Sequence, residues 1–199
     1  MDHDETIAHY ERIGRSYATV IDPKPGPFRA AALQRLAGPL ASGDTVLEIG
    51  SGTGRDADYL ESLGLSVDRT DAAESFLEIQ AEHGRRARRL DVTAEELGGP
   101  YEGVLALCVL MHVDRASIDG VLAKIAAALR PGGGFLVSVR AGEGEEPPPA
   151  AMAFWSREAF EQRLRSAGFI VEWFELEVDS AEEAWLTFYT RAPAISSTA

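Results

Sequence analysis

The segment Val46-Leu47-Glu48-Ile49-Gly50-Ser51-Gly52-Thr53-Gly54 runs from an apolar strand straight into three glycines spaced two residues apart. A polar, helix-compatible stretch follows over 55–63. A short buried strand (45–49) that turns through glycines into a helix is the opening of a βα unit. Outward from it the alternation repeats. Strand 66–70 leads to helix 73–83, and a weak strand 87–92 leads to a strong one over 103–110 that is apolar on both faces. A helix over 117–129 ends at Pro131 and three glycines, and strand 135–139 follows. Strands alternating with helices predict an α/β fold with a mostly parallel sheet covered on both faces.

The flanks complete one domain. Ile7, Tyr10, Ile13 and Tyr17 recur at spacings of three and four, which predicts an amphipathic helix over 4–18. Prolines make 22–27 a turn, and a second helix runs over 28–40. Downstream, 141–150 (AGEGEEPPPA) is expected to be a mobile loop without regular structure. Helix 156–167 follows, with Ser156 as N-cap and Gly168 beyond its end. Strands over 169–178 and 184–191 form a terminal hairpin. The expected organisation is an N-terminal helical extension over 1–40, a main domain over 41–192, and a disordered tail over 193–199.

Composition narrows the function. The 199 residues are 45% hydrophobic and 26% charged, enough for a real core without disulfides. The single cysteine, Cys108, rules out an internal disulfide framework and a multi-cysteine zinc site, and predicts a reducing, cytoplasmic setting. The acidic N-terminus does not read as a signal peptide, and no apolar run is long enough to span a membrane. A net charge of −13 argues against nucleic-acid and anionic-membrane partners. Seventeen Arg against two Lys, and no Asn at all, suggest a GC-rich bacterial genome.

Three ligand classes compete for the glycine turn. A dinucleotide fingerprint needs its third glycine at position 55, which is Arg55, and a P-loop needs a lysine that is not there. The remaining ligand is S-adenosylmethionine, which presents an amino-acid tail and a ribose to such a turn. Glu48, at the strand end, is suited to accept hydrogen bonds from the ammonium, directly or through water. Asp71, 21 residues after Gly50 and at the end of the second strand, is suited to accept both ribose hydroxyls, with helix capping as its competing role. Asp91 closes the third strand and is a candidate acceptor for the adenine amino group, while Val92 packs on the ring.

The order Glu48-x-Gly50-x-Gly52-x-Gly54, Asp71, Asp91, Tyr101-Glu102-Gly103-Val104, Leu110-Met111-His112-Val113 and Leu129-Arg130-Pro131-Gly132-Gly133-Gly134 resembles the class I S-adenosylmethionine-dependent methyltransferases over residues 10 to 190. Glu102 and Glu48 are conservative departures from the Asp usual at those places. The resemblance implies a Rossmann-like seven-stranded sheet of order 3-2-1-4-5-7-6 ending in an antiparallel hairpin. It implies a donor site made by Tyr17, Glu48, Gly50, Ser51, Gly52, Thr53, Gly54, Asp71, Ala72, Asp91, Val92 and Cys108, with S-adenosylhomocysteine as product. The first helix is implied to close over the donor as a lid.

The acceptor lies, by the same resemblance, beside the end of the fourth strand. The Asn/Asp-Pro-Pro-aromatic motif of nucleic-acid and protein-amide methylation is missing there, and so are the clustered metal ligands of the catechol type. A small-molecule acceptor is therefore expected, with no metal, in a monomer or homodimer, in a setting such as bacterial secondary metabolism. His112 is the one candidate base, and a purely structural role competes with it. Acidic residues after the fifth strand, with Met152, Phe154 and Trp155, are expected to form a lid over the acceptor pocket. His3, His9 and His83 are expected on the solvated surface. The competing function is a methyltransferase-fold protein that binds S-adenosylmethionine without transferring methyl, as a binding module or another catalyst.

Overall fold

A computed structural model describes residues 3–193 of the chain. The expected disorder of the tail concerns residues that, apart from Pro193, lie outside those described. The apolar runs become the central strands: β1 (Thr45–Ile49), β4 (Tyr101–Leu107) and β5 (Leu129–Arg140). With β2 (Ser66–Asp71), β3 (Ala87–Arg89), β8 (Ile170–Val178) and β9 (Ala184–Arg191) they form one sheet of order β3-β2-β1-β4-β5-β9-β8. The first five pair in parallel, and β9 runs antiparallel to both β5 and β8. This is the expected seven-stranded arrangement, with β8 and β9 as its sixth and seventh strands.

The helices α1 (His3–Val20), α2 (Pro27–Ala37), α3 (Arg55–Ser62), α4 (Glu74–Glu82), α5 (Ile118–Ala128) and α6 (Arg157–Ser166) cover the sheet. α2 and α3 bury Leu33, Leu36 and Leu60 against Val46, Leu105 and Leu136. α5 and α6 bury Ile118, Leu122, Phe160 and Leu164 against Val104, Val137 and Phe188 in a second cluster. Each such fully buried side chain contributes about 1.5–3 kcal/mol. Glu102 explains its departure from Asp: its carboxylate accepts from the Thr45 amide at 2.9 Å and pairs with Arg130 at 2.7 Å. The β4 acid thus pins the start of β1.

Two sequence expectations need correction. β3 is only three residues long, although just past its end the Leu90 amide still donates to the Asp71 carbonyl while the side chain enters the core. Arg88 on β3 pairs with Asp68 on β2. The segment 141–150 is not wholly irregular. Its β6 (Glu145–Glu146) pairs with β7 (Met152–Ala153), and Ala151, Ala153 and Trp155 beyond it are fully buried. An Arg115 guanidinium donates to the Phe154 carbonyl and lies 4.0 Å from the Trp155 ring centre, tying this strap down.

Candidate functional site

The glycine turn sits at the carboxyl end of β1, with a cleft opening above it. Gly50 has φ +69°, and a Cβ there would lie 1.9 Å from Val109 Cγ2, so no other residue fits. β2 holds the turn from the side. Ser51 N–H donates to the Thr70 carbonyl, and the Asp71 carboxylate accepts from Gly52 N–H at 2.8 Å and Ala73 N–H at 3.0 Å. Gln80 holds it from behind, donating to Ser51 Oγ and the Gly52 carbonyl. The buried guanidinium of Arg69 links Gln80 to Asp58 and Glu61 and so fastens α3, β2 and α4 together.

One cavity runs from this turn to the start of α1. Of the residues expected at a donor site, Tyr17, Gly50, Ser51, Gly52, Thr53, Asp71, Ala72, Val92, Cys108 and His112 line it. Glu48, Gly54 and Asp91 do not. Glu48 is buried behind the turn, and its Oε2 has no hydrogen-bond partner among the described residues. Burial, then the nearby Asp56, pushes its pKa well above the usual carboxylate value. Asp91 accepts from Thr93 through both its amide and hydroxyl, and from His3 Nε2 at 3.0 Å. His3 is therefore no free surface residue. It lines the cavity and fastens the start of α1 to the end of β3.

Burial raises the Asp71 pKa to about 6, even though three backbone N–H groups pull it down. A buried carboxylate in that condition has unused acceptor capacity and favours additional donors.

His112 is held at both nitrogens. Its Nδ1 lies 2.8 Å from the Ala151 carbonyl, which can only accept, so Nδ1 carries the proton. Nε2 is then a lone pair, and it accepts from the Tyr10 hydroxyl of α1 at 3.1 Å. Burial lowers the His112 pKa and raises that of Tyr10 to about 12. The pair is thus neutral, with the ring's basic nitrogen on the cavity side. The strap 141–155 does not line this cavity or its neighbour, contrary to the expected acceptor lid, because Trp155 and Ala153 are drawn into the core beside Phe160. Its contribution is the Ala151 carbonyl that sets the His112 tautomer.

Sequence reading missed two residues. Arg29, from the first turn of α2, grips both oxygens of Asp56 and donates to Cys108 Sγ at 3.4 Å. Burial opposes its charge, but Asp56 outweighs this and holds the guanidinium protonated. Arg55 also pairs with Asp56, so two guanidinium groups share one carboxylate on the cavity wall. A lone Arg in an Ala/Leu-rich helix gives no periodic or motif signal, and only the fold brings it to the turn.

Comparison with known proteins agrees with this architecture. Residues 47–135 match the family model of a methyltransferase domain. The ubiquinone biosynthesis O-methyltransferase of Bordetella bronchiseptica is 35% identical over 116 residues, 54% of this chain and 46% of that protein. The chain thus spans just under half the length of that curated relative. The solved 1,6-didemethyltoxoflavin-N1-methyltransferase of Burkholderia thailandensis superposes with a TM-score of 0.73 at 23% identity, over 94% of this chain and 85% of its own. The [4+2]-cyclase SpnF superposes with a TM-score of 0.72 at 15% identity, over 94% of both chains. The chain thus shares its fold with solved methyltransferases, and the methyltransferase-domain match covers residues 47–135, just under half of its length.

Proposed function

We propose that the protein transfers a methyl group from S-adenosylmethionine to a small molecule. The observation that carries this is the match between three unmet needs of the cavity wall and three groups of that ligand. Arg29 and Arg55 share one carboxylate and call for a second, which the ligand's α-carboxylate supplies. Glu48, buried behind that wall with a raised pKa and an Oε2 that no described residue meets, favours the arrival of a cation, which the ligand's ammonium supplies. Asp71, on the wall with raised pKa, suits the ribose hydroxyls. Leu90, Val92 and Phe76 offer an apolar slot for the adenine. A pyrophosphate would meet Asp71 and Asp56 as like charges on the same wall.

When bound, S-adenosylmethionine supplies a methyl group on a positively charged sulfur, open to displacement by an acceptor's lone pair. The chain's part is alignment and water exclusion, which for such a step account for much of the rate. Tyr17 and Ile7 of α1 close the cavity side opposite the glycine turn, so 1–40 acts as a lid on a catalytic domain over 41–192. His112 Nε2 is the lone pair placed to take a proton from the acceptor, with the Tyr10 hydroxyl turning away or relaying it. The free Cys108 against Arg29 fits a reducing, cytoplasmic setting.

Binding without methyl transfer is the second reading. In its favour, Tyr10 already occupies His112 Nε2, and the same fold serves a protein described as a cyclase. Calorimetry with S-adenosylmethionine, followed by an acceptor screen that measures S-adenosylhomocysteine, tests both. Binding with product formation supports transfer. Binding without product across the screen favours the second reading, and no binding at high micromolar ligand refutes both.

A further inference from the structure

A second cavity abuts the first. The two share Arg29, Arg55, Leu107 and Cys108, so the thiol-bearing end of β4 is their common wall. Its floor is one face of the sheet, and the register shows how that face changes character. Under α2 the face is apolar, with Leu136 opposite Tyr189 and Tyr189 opposite Trp173. Two residues on, Ser138, Thr187 and Glu175 stand in one row, and two further on Arg140, Trp185 and Glu177 stand in the next. A sheet face that turns polar where its covering helix begins is built to hold something other than a helix.

The charges in this cavity do not cancel. Arg140 is taken by Glu183 at 2.6 Å. Asp179 is occupied by the amides of Ala181 and Glu183 and by the Trp185 indole. Arg29 and Arg55 share Asp56, and the donor carboxylate assigned to them above completes their neutralisation. Glu177 is left. Among the described residues it has no ion-pair or hydrogen-bond partner, and it faces Asp179 and Glu175, both of its own sign. Burial and those two neighbours raise its pKa, and Arg29, already held by Asp56, offsets this only in part. A separate observation points the same way. Thr187 lines the cavity at 3% exposed, and no described residue hydrogen-bonds its hydroxyl.

We propose that the second cavity is the acceptor site and that it selects a small molecule carrying a cationic nitrogen, with Glu177 as the specificity-determining residue. The ammonium or guanidinium group lies at the Glu177 end, beside the Trp185 ring that Arg140 already faces at 4.9 Å, and Thr187 orients it. The opposite end of the molecule then lies at Cys108, where the cavities meet and the methyl-accepting atom belongs. The inference rests on the donor reading of the first cavity.

The test is calorimetry on the full chain saturated with S-adenosylhomocysteine, using 2-phenylethylamine, 2-phenylethanol and phenylacetate, and the same three head groups on a butyl chain. On at least one skeleton the amine should bind at least about tenfold more tightly than its alcohol, with the carboxylate weakest. Glu177→Gln should erase that preference and Glu177→Asp should keep part of it, while both retain S-adenosylhomocysteine affinity, because Glu177 does not touch the first cavity. Amines no better than alcohols on both skeletons, or an amine preference that survives Glu177→Gln, overturns the proposal. The amine ranking is also read on the protein without S-adenosylhomocysteine. A failure of S-adenosylhomocysteine to bind at all sinks the donor reading alone, and the ranking on the free protein then decides this one.

Discussion

Replacing Gly14 by Ala should loosen the first helix from the rest of the molecule. Gly14 is buried where α1 crosses α4, and a Cβ there would lie 2.4 Å from Ser75 Oγ and 3.1 Å from Ser75 Cβ. Two effects compete. Alanine improves the helix by about 1 kcal/mol over glycine. Against that, forcing a methyl into a filled contact costs about 1–3 kcal/mol. The Ser75 hydroxyl must also give up its bond to the Tyr10 carbonyl, worth about 0.5–1.5 kcal/mol. The clash wins, by about 1–3 kcal/mol, and the loss falls on the α1–α4 seam rather than on the sheet. Because α1 carries Ile7, Tyr10 and Tyr17 on the cavity wall, S-adenosylhomocysteine should bind about fivefold to a hundredfold more weakly. Hydrogen exchange of α1 amides should speed up while those of β1 and β4 stay protected. Adding Ser75→Gly clears the space and should restore most of the affinity. If the single variant instead gains thermal stability and binds unchanged, the contact at Ser75 is not tight and the lid reading of α1 fails.

Two titrations have opposite signs. Asp71, with its pKa raised to about 6, prefers its proton in the folded state, so its contribution to stability is full below the unfolded value and fades as pH rises through about 6. Ribose hydroxyls donating to it should lower that pKa, so S-adenosylhomocysteine binding near pH 6 should release protons, read as a dependence of binding enthalpy on the buffer, and Asp71→Asn should reduce the release. His112 is lowered, so its contribution is full above about 6.5 and fades as pH falls through its lower folded value. If it serves as base, the acid limb of turnover should lie below 6.5 and vanish in His112→Gln, with turnover down about 10²–10⁴-fold; a limb that persists in this variant assigns the proton elsewhere.

What was legible in the sequence is what local pattern carries. The apolar runs at 45–49 and 103–107 and the glycines between Ile49 and Arg55 needed only periodicity and backbone sterics. What was not legible depends on distance in the chain. Tyr10 and His112 are 102 residues apart, and nothing local to either states that one caps the other. The partners of Arg29 lie 27 and 79 residues away. The strap over 141–155 misled for a related reason. Its prolines, glycines and acids describe its exposed part correctly, but Ala151, Ala153 and Trp155 answer to a core assembled from β5, α6 and β9. Asp91 falls two residues past the end of β3, and its carboxylate is directed by His3, 88 residues earlier.

The position of β9 bears on how the protein is made. It lies between β5 and β8, yet among the described residues it is the last strand in sequence. On the ribosome, every parallel pairing can form before residue 184 has emerged, but β5 then presents a bare edge carrying Phe135, Val137 and Val139. β8 at that stage has no neighbour in the sheet at all. An unpaired apolar edge in a half-made chain invites pairing with other chains. Arrival of β9 is therefore the event that closes this sheet, so truncation just short of Trp185 should leave the β5 edge open and make folding depend on chaperones.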